Sequence, residues 1–252
     1  MFDVEPESPD EDSGRLYTPR GTITSKFKPK QLVVTCSFCG RFYSRCCFHM
    51  KTICHHYRIV YTDGACSNNG RSSAMAAIGI VFGMRNGDPE DEDTHQFSIP
   101  VDDRLDPRAR RTNQRAELLA VLEGLKICDF DEERMANDSE TREQHDWYLS
   151  PLEVIITTDS EYVVKGMSEW LPNWKVTAHD TCFIMWSGHF DKLTHLDCFL
   201  IKSNGLRKSN SQRPSNLDLF LKLDAEVEAR ERRHDCKVKF WHIDRTYNPI
   251  AD

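Results

Sequence analysis

Four acidic residues are set apart by the company they keep. Asp63 follows the apolar, β-branched run Ile59-Val-Tyr-Thr and precedes Gly64-Ala-Cys-Ser-Asn-Asn-Gly70. Glu117 lies in Thr112-Asn-Gln-Arg-Ala-Glu-Leu, Asp159 closes Val154-Ile-Ile-Thr-Thr, and Asp252 closes Asn248-Pro-Ile-Ala-Asp. A carboxylate at the end of a strand is held by a rigid scaffold yet reaches solvent, which suits a ligand for a hard cation. Singly, each has an ordinary explanation: Asp-Gly is a hairpin turn, a helix Glu is solvated, and Asp before a helix is a cap. Gathered together, the four would repel one another unless cations neutralised them.

The elements that must position them are legible from periodicity. Runs at 59–62, 76–83 and 94–101, separated by Asn68-Asn69-Gly70 and Asn86-Gly87-Asp88-Pro89, predict three strands in an antiparallel meander. Ala116, Leu119, Ala120, Leu122 and Leu125 fall near one face and predict a helix over 114–128, with Thr112 or Asn113 as N-cap. The acidic stretch 129–150 reads as a loop or the frayed end of that helix. A strand at 154–157 leads into a helix whose Val163, Met167 and Trp170 share a face. Leu217, Phe220, Leu223 and Val227 predict another helix running to about His234, and 237–243 alternates as a last strand. That order implies an α/β domain with a mixed sheet.

With these neighbours and in this order, the four segments resemble type 1 ribonuclease H over roughly residues 58–252. Trp241-His-Ile-Asp-Arg-Thr-Tyr-Asn-Pro-Ile-Ala-Asp252 is similar to the shorter fungal and plant variant. The resemblance implies a ribonuclease H-like fold: a five-stranded mixed sheet flanked by helices, here with an N-terminal Cys-rich extension. It also implies that Asp63, Glu117, Asp159 and Asp252 hold two Mg²⁺ ions, with Mn²⁺ as substitute, which clamp the attacking water and the leaving oxygen. The implied reaction is endonucleolytic hydrolysis of the RNA strand of an RNA–DNA hybrid, giving 5′-phosphate and 3′-hydroxyl ends.

Substrate contacts follow from the same resemblance. Cys66, Asn69 and Gln114, joined by Ser209, match contacts to the RNA strand, whose 2′-hydroxyl both donates and accepts. Arg110, Thr112 and Asn216 match a phosphate pocket on the DNA strand, and Gly64, Asn113, Trp170 and Trp174 are placed with the nucleic-acid contacts. Asn69 also reads as a turn residue and Thr112 as a helix cap. Lys175 and Asn204–Ser209 correspond to a basic protrusion, in which Leu206 stands where the family usually has Trp. An insertion at about 177–203 separates that protrusion from Trp174. His242 has the family spacing to Asp252 but sits in the alternation Val238, Phe240, His242, and so reads as a strand histidine; Arg245 is a candidate for meeting phosphate.

The totals fit with some tension. A net charge of −7 is unusual for a nucleic-acid binder. The acid, however, is concentrated at 5–12, 88–93 and 129–146, while bases cluster at 108–115, 207–213 and 230–233, and local field steers a phosphate backbone. Ten cysteines without a leader or a membrane-length apolar run imply reduced thiols in an intracellular protein, nuclear or cytoplasmic, acting as a monomer with no membrane partner. Residues 1–30 read as a disordered acidic tail and 31–57 as a Cys/His-rich extension. Cys36, Cys39, Cys46, Cys47, His49 and Cys54, beside His55 and His56, have the ligand types of a structural Zn²⁺ site. An apolar flap built on Phe42, Tyr43, Cys46, Cys47 and Phe48 explains the segment equally well. Two other functions compete with the nuclease. One is a hybrid-binding protein with a crippled second metal site, suggested by Leu206 and a chain that stops at Asp252. The other is the ribonuclease H part of a retroelement polyprotein. The intact Asp63–Glu117–Asp159 trio favours the enzyme.

Overall fold

The computed structural model describes residues 14–37, 39–46, 55–84, 95–107, 109–137, 153–175, 206 and 212–248. The strands are β1 (Val33–Thr35), β2 (Phe42–Ser44), β3 (Tyr57–Ser67), β4 (Met75–Val81), β5 (Gln96–Pro100), β6 (Glu153–Thr158) and β7 (Lys237–His242). β3, β4 and β5 form the expected antiparallel meander, and β6 and β7 continue the sheet in parallel on the other side of β3. The order β5-β4-β3-β6-β7 is the predicted five-stranded mixed sheet. β1 and β2 enlarge it to seven, because β4 pairs with β3 only from Tyr61 onward and β2 takes the edge left below it, Tyr43 opposite Arg58.

Three helical segments complete the layers: α1 (Asn113–Asn137), α2 (Glu161–Lys165) and α3 (Leu217–His234). α2 runs on through a π turn, Gly166–Trp170, into a helical stretch at 171–175. The wider turn precedes Pro172, which has no N–H to donate. Val60, Ile78 and Ile80 of the sheet pack against Leu118, Leu119 and Leu125 of α1 and against Val163, Met167, Phe220 and Leu223. On the opposite face, Ile59, Tyr61 and Ile155 are covered by Phe42 and Ile243, with Tyr17, Val33 and Trp241 alongside. Both faces of the central strands are therefore buried, which is why β3 and β6 read as continuous apolar runs.

Three boundaries differ from the sequence reading. Within residues 14–30, assigned to a disordered tail, Arg15–Tyr17 run along β7, with Phe240 N donating to Arg15 O at 2.7 Å and Tyr17 N donating to Phe240 O at 2.9 Å, and Ile23 is buried. The acid of the supposed tail ends at Asp12, and the part that docks carries Leu16, Tyr17 and Ile23 instead. β3 does not stop at Thr62 but continues to Ser67 against β4, so Asp63 lies within the strand. α1 extends nine residues past 128, because the acids thought to end it are paired in the interior. Among the described residues no helix is long and apolar enough to cross a membrane. The 177–203 insertion, Ser209, Asp252, Cys47, His49 and Cys54 lie outside the described residues.

Candidate active site

β3 and β6 pair in parallel from Tyr57 opposite Glu153 to Tyr61 opposite Thr157, and then part. Just beyond that point β3 presents Asp63, and β6 ends at Thr158 and presents Asp159. The crevice at the carboxyl ends of parallel strands is where open α/β sheets bind ligands. Glu117 enters from α1, which crosses β3 at Gly64. A Cβ on Gly64 would lie 2.3 Å from Ala116 C and from Glu117 N, so only glycine lets the helix come this close. Carboxylate oxygens of Asp63, Glu117 and Asp159 lie within 4.8 Å of one another.

This cluster has little positive charge to balance it. Glu117 is buried, and Asn113 Nδ2 donates to its Oε1 at 3.4 Å, while Oε2 is buried with no hydrogen-bond partner among the described residues. Burial, then the charges of Asp63 and Asp159, push the Glu117 carboxyl up to about 8. Among the described residues the cation paired with the cluster is Arg245, 4.0 Å from Asp159 Oδ2 and largely exposed. An orphaned oxygen on a buried carboxyl and two further carboxylates, all hard oxygen donors, fit a divalent ion of the Mg²⁺ type. Asn248, four residues before Asp252, is fully buried and steadies the crevice: its Nδ2 donates to Thr62 O at 3.4 Å and to Asp159 Oδ1 at 3.5 Å. The sequence offered Asn248 only as part of the closing motif. Its burial against the two acid-bearing strands gives it a positioning role that side-chain type alone did not signal.

The predicted substrate contacts separate into groups. The turn 68–70, with Asn68 and Gly70 in the left-handed region, sits against the start of α1. Asn69 Oδ1 accepts from Asn113 N at 3.1 Å and Thr112 Oγ1 accepts from Arg115 N at 3.3 Å. Both are caps as well as candidates for substrate contact. Asn113, Gln114 and Arg110 are exposed beside them, and Cys66 is half-buried at the end of β3. Asn216 donates from Nδ2 to Tyr162 OH at 3.2 Å and takes a 3.5 Å contact from Arg115, which is otherwise bound to Asp106 and Asp218. Gly64 lies buried beneath α1.

Burial and pairing set several other residues apart. Trp174 is a core residue, edge-on to Phe220 with centroids 5.6 Å apart, because α3 packs over it. Trp170, half-buried against Tyr162 and Trp174, keeps part of its ring exposed. Leu206 is likewise buried in the core. Lys175 is tied to Asp224 and Glu228. Arg230 is buried among acids and Arg233 is paired with Asp129 and Glu226, so of this base cluster Arg230 serves the interior while Arg232 stays exposed. His242 ends β7 as the alternation implied, its Nε2 3.2 Å from the main-chain oxygen of Asp159.

A carboxylate cluster of this kind, on a mixed sheet flanked by helices, is the equipment of a metal-assisted hydrolase. The RNase H family model matches residues 55–244, and the chain belongs to the ribonuclease H family. It is 28% identical to a ribonuclease H of Schizosaccharomyces pombe over 68% of this chain and 42% of that protein. Ribonuclease H of Pseudomonas entomophila is 32% identical over 77% of this chain and 86% of its own length. The solution structure of a PFV RNase H domain aligns with a TM-score of 0.38 at 19% identity, over 75% of this chain and 79% of that one.

Proposed function

We propose that the chain is an endoribonuclease that hydrolyses the RNA strand of RNA–DNA hybrids, leaving 5′-phosphate and 3′-hydroxyl ends. The observation that carries this is the convergence of Asp63, Glu117 and Asp159 at the parting of β3 and β6, in a member of the ribonuclease H family. These carboxylates, completed by Asp252, would hold two Mg²⁺ ions, with Mn²⁺ as substitute. The ions supply positive charge to the scissile phosphate and lower the pKa of a bound water.

The chain's own residues do the rest. Asp63 and Asp159 are fixed by strands and offer oxygens toward the crevice. Glu117, whose carboxyl burial pushes up to about 8, would have to release its proton to serve as a ligand. Asn248 holds Asp159 in place from behind. We assign Asn69, Asn113 and Gln114, exposed at the start of α1, to the RNA strand with its 2′-hydroxyls, and Arg110 and Asn216 to phosphates of the DNA strand. The triad is assembled within one chain, which supports action as a monomer. The described cysteines, none in a disulfide, support an intracellular site, nuclear or cytoplasmic.

Cleavage of a labelled hybrid in Mg²⁺, beside Asp63→Asn and with single-stranded and double-stranded RNA as controls, tests the reading. Cutting of the hybrid alone, abolished by Asp63→Asn, is expected. A folded protein that binds hybrid but cuts nothing in Mg²⁺ or Mn²⁺ would overturn it in favour of a binding protein.

A further inference from the structure

The acid triad leaves unexplained a second convergence at the opposite end of β3. β1 ends at Thr35 and β2 begins at Phe42, and the hairpin between them carries Cys36 and Cys39. Gly40 N donates to Cys36 O at 2.8 Å and Cys36 N donates to Arg41 O at 2.9 Å, closing a tight knuckle. Gly40 makes it possible, since its φ of 69° is one that side-chain-bearing residues rarely adopt. His55 arrives from a different part of the chain, two residues ahead of β3. Its ring stacks on Tyr43 with centroids 4.3 Å apart, which orients the imidazole, and its Nε2 lies 3.3 Å from Cys36 Sγ. All three side chains are buried, and their ligand atoms lie within 4.8 Å of one another.

We propose that Cys36, Cys39 and His55 bind a structural Zn²⁺ ion that fastens the N-terminal hairpin to the ribonuclease H sheet. Two thiolates three residues apart on a knuckle, joined by one imidazole, form a soft donor set that favours zinc over the hard ions suited to the acid triad. Zn–S bonds of about 2.3 Å and Zn–N bonds of about 2.0–2.1 Å put tetrahedral ligand atoms roughly 3.6–3.8 Å apart, within the spread seen. The competing explanation is a plain apolar flap, to which Cys39 Sγ, 3.6 Å from Tyr43 OH, would contribute only packing. A flap has no need of a histidine aimed at a thiol in a buried pocket. β2 meets β3 at one register pair, and the hairpin is otherwise held by Phe42 N donating to Phe82 O, Met84 N donating to Gly40 O and Arg41 on Asp131; a metal would add a link on the side where His55 enters β3. A metal joining residues 36 and 39 to 55 closes that long loop and favours the attached state.

The site is independent of the nuclease reading, and its test is too. The full-length chain, purified under reducing conditions, is expected to carry about one zinc per molecule, and Asp63→Asn is expected to carry the same. A cobalt-substituted sample should show thiolate-to-cobalt charge-transfer absorption that Cys36→Ser/Cys39→Ser lacks. A zinc-selective chelator should lower the Tm of the unmodified protein by about 5–10 °C, with recovery on adding Zn²⁺ back. His55→Cys, which supplies another thiolate at the same place, should retain the metal. A folded chain without zinc that shows no thiolate band with cobalt would overturn the proposal. So would a Cys36→Ser/Cys39→Ser protein that keeps its zinc. If that variant does not fold, the chelation melt of the unmodified chain decides: an unchanged Tm refutes the site.

Discussion

Helix α1 carries Glu117 in its second turn and Asp129, Asp131 and Glu132 about three turns further on, and the two groups keep opposite company. Among the described residues Glu117 faces two more carboxylates and no buried cation. Asp131 is gripped by Arg41 and Arg58, Glu132 by Arg58 and Arg230, and Asp129 by Arg230 and Arg233. Asp129, Glu132 and His234 come as close together as the catalytic candidates do. That trio is no match for a metal, because arginines already occupy its oxygens. The same residue types on one helix thus serve two ends: at one, repulsion left standing for a cation to relieve; at the other, a closed ionic network. Arg41 Nε and Nη2 reach Asp131 at 2.7 and 2.6 Å, so the network also anchors the N-terminal hairpin to α1.

The contrast can be broken at either end. The largest effect belongs to the open cluster: Asp63→Asn should lower hybrid cleavage about 10³-fold or more, with the fold intact by circular dichroism. At the crossing that brings the triad together, Gly64→Ala would force its Cβ into the backbone of Ala116 and Glu117. Displacing Glu117 by even about 1 Å should cost on the order of 10²-fold in activity, against Mg²⁺-titrated rates of the parent. The closed network predicts the reverse pattern. Asp131→Asn strands the buried guanidinium of Arg41 and leaves Arg58 with Glu132 alone, and should cost about 3–5 kcal/mol in urea unfolding, with kcat of the folded fraction little changed. Unchanged stability there would mean that the arginines find water, and that the network is not closed.

Much of this was legible in the sequence, for reasons that differ by residue. The strands and α3 announce themselves through buried alternation and 3.6-residue spacing, and three of the four acids could be placed because each ends or begins such a run. Residues 129–137 read as a loop or the frayed end of the helix, and not as a packed continuation of it, because their interior face is acidic. Periodicity detects apolar burial, and nothing local to Asp131 reveals that Arg41 and Arg58 wait opposite. Trp174 shows the same blindness in another form: an aromatic near a basic segment looks like a nucleic-acid contact until α3 is known to cover it. Asn69 and Thr112 could be read as caps or contacts from sequence alone, and their geometry makes them caps while leaving them beside the crevice.

The subtlest difference between the two ends should appear in how each responds to pH. Glu117 is pushed to about 8 in the metal-free fold against an ordinary value of 4.5, so the folded state holds a proton that the unfolded chain releases. The stability this proton contributes is fully present below about 4.5 and is lost as pH rises through about 8, at a slope of at most roughly 1.4 kcal/mol per pH unit. Comparison with Glu117→Gln isolates the effect, since every other titrating group is shared. In EDTA the variant should match the parent at acid pH, become progressively more stable than it from about pH 4.5 to about pH 8, and hold a constant lead above that. Mg²⁺ should shrink that gap in the parent by competing with the proton, so that apparent Mg²⁺ affinity rises with pH over the same window. If the two stability curves run parallel from pH 5 to 9, Glu117 is already ionised without a cation. The uncompensated charge that distinguishes this end of α1 from the arginine-filled end would then have to be relieved by another group.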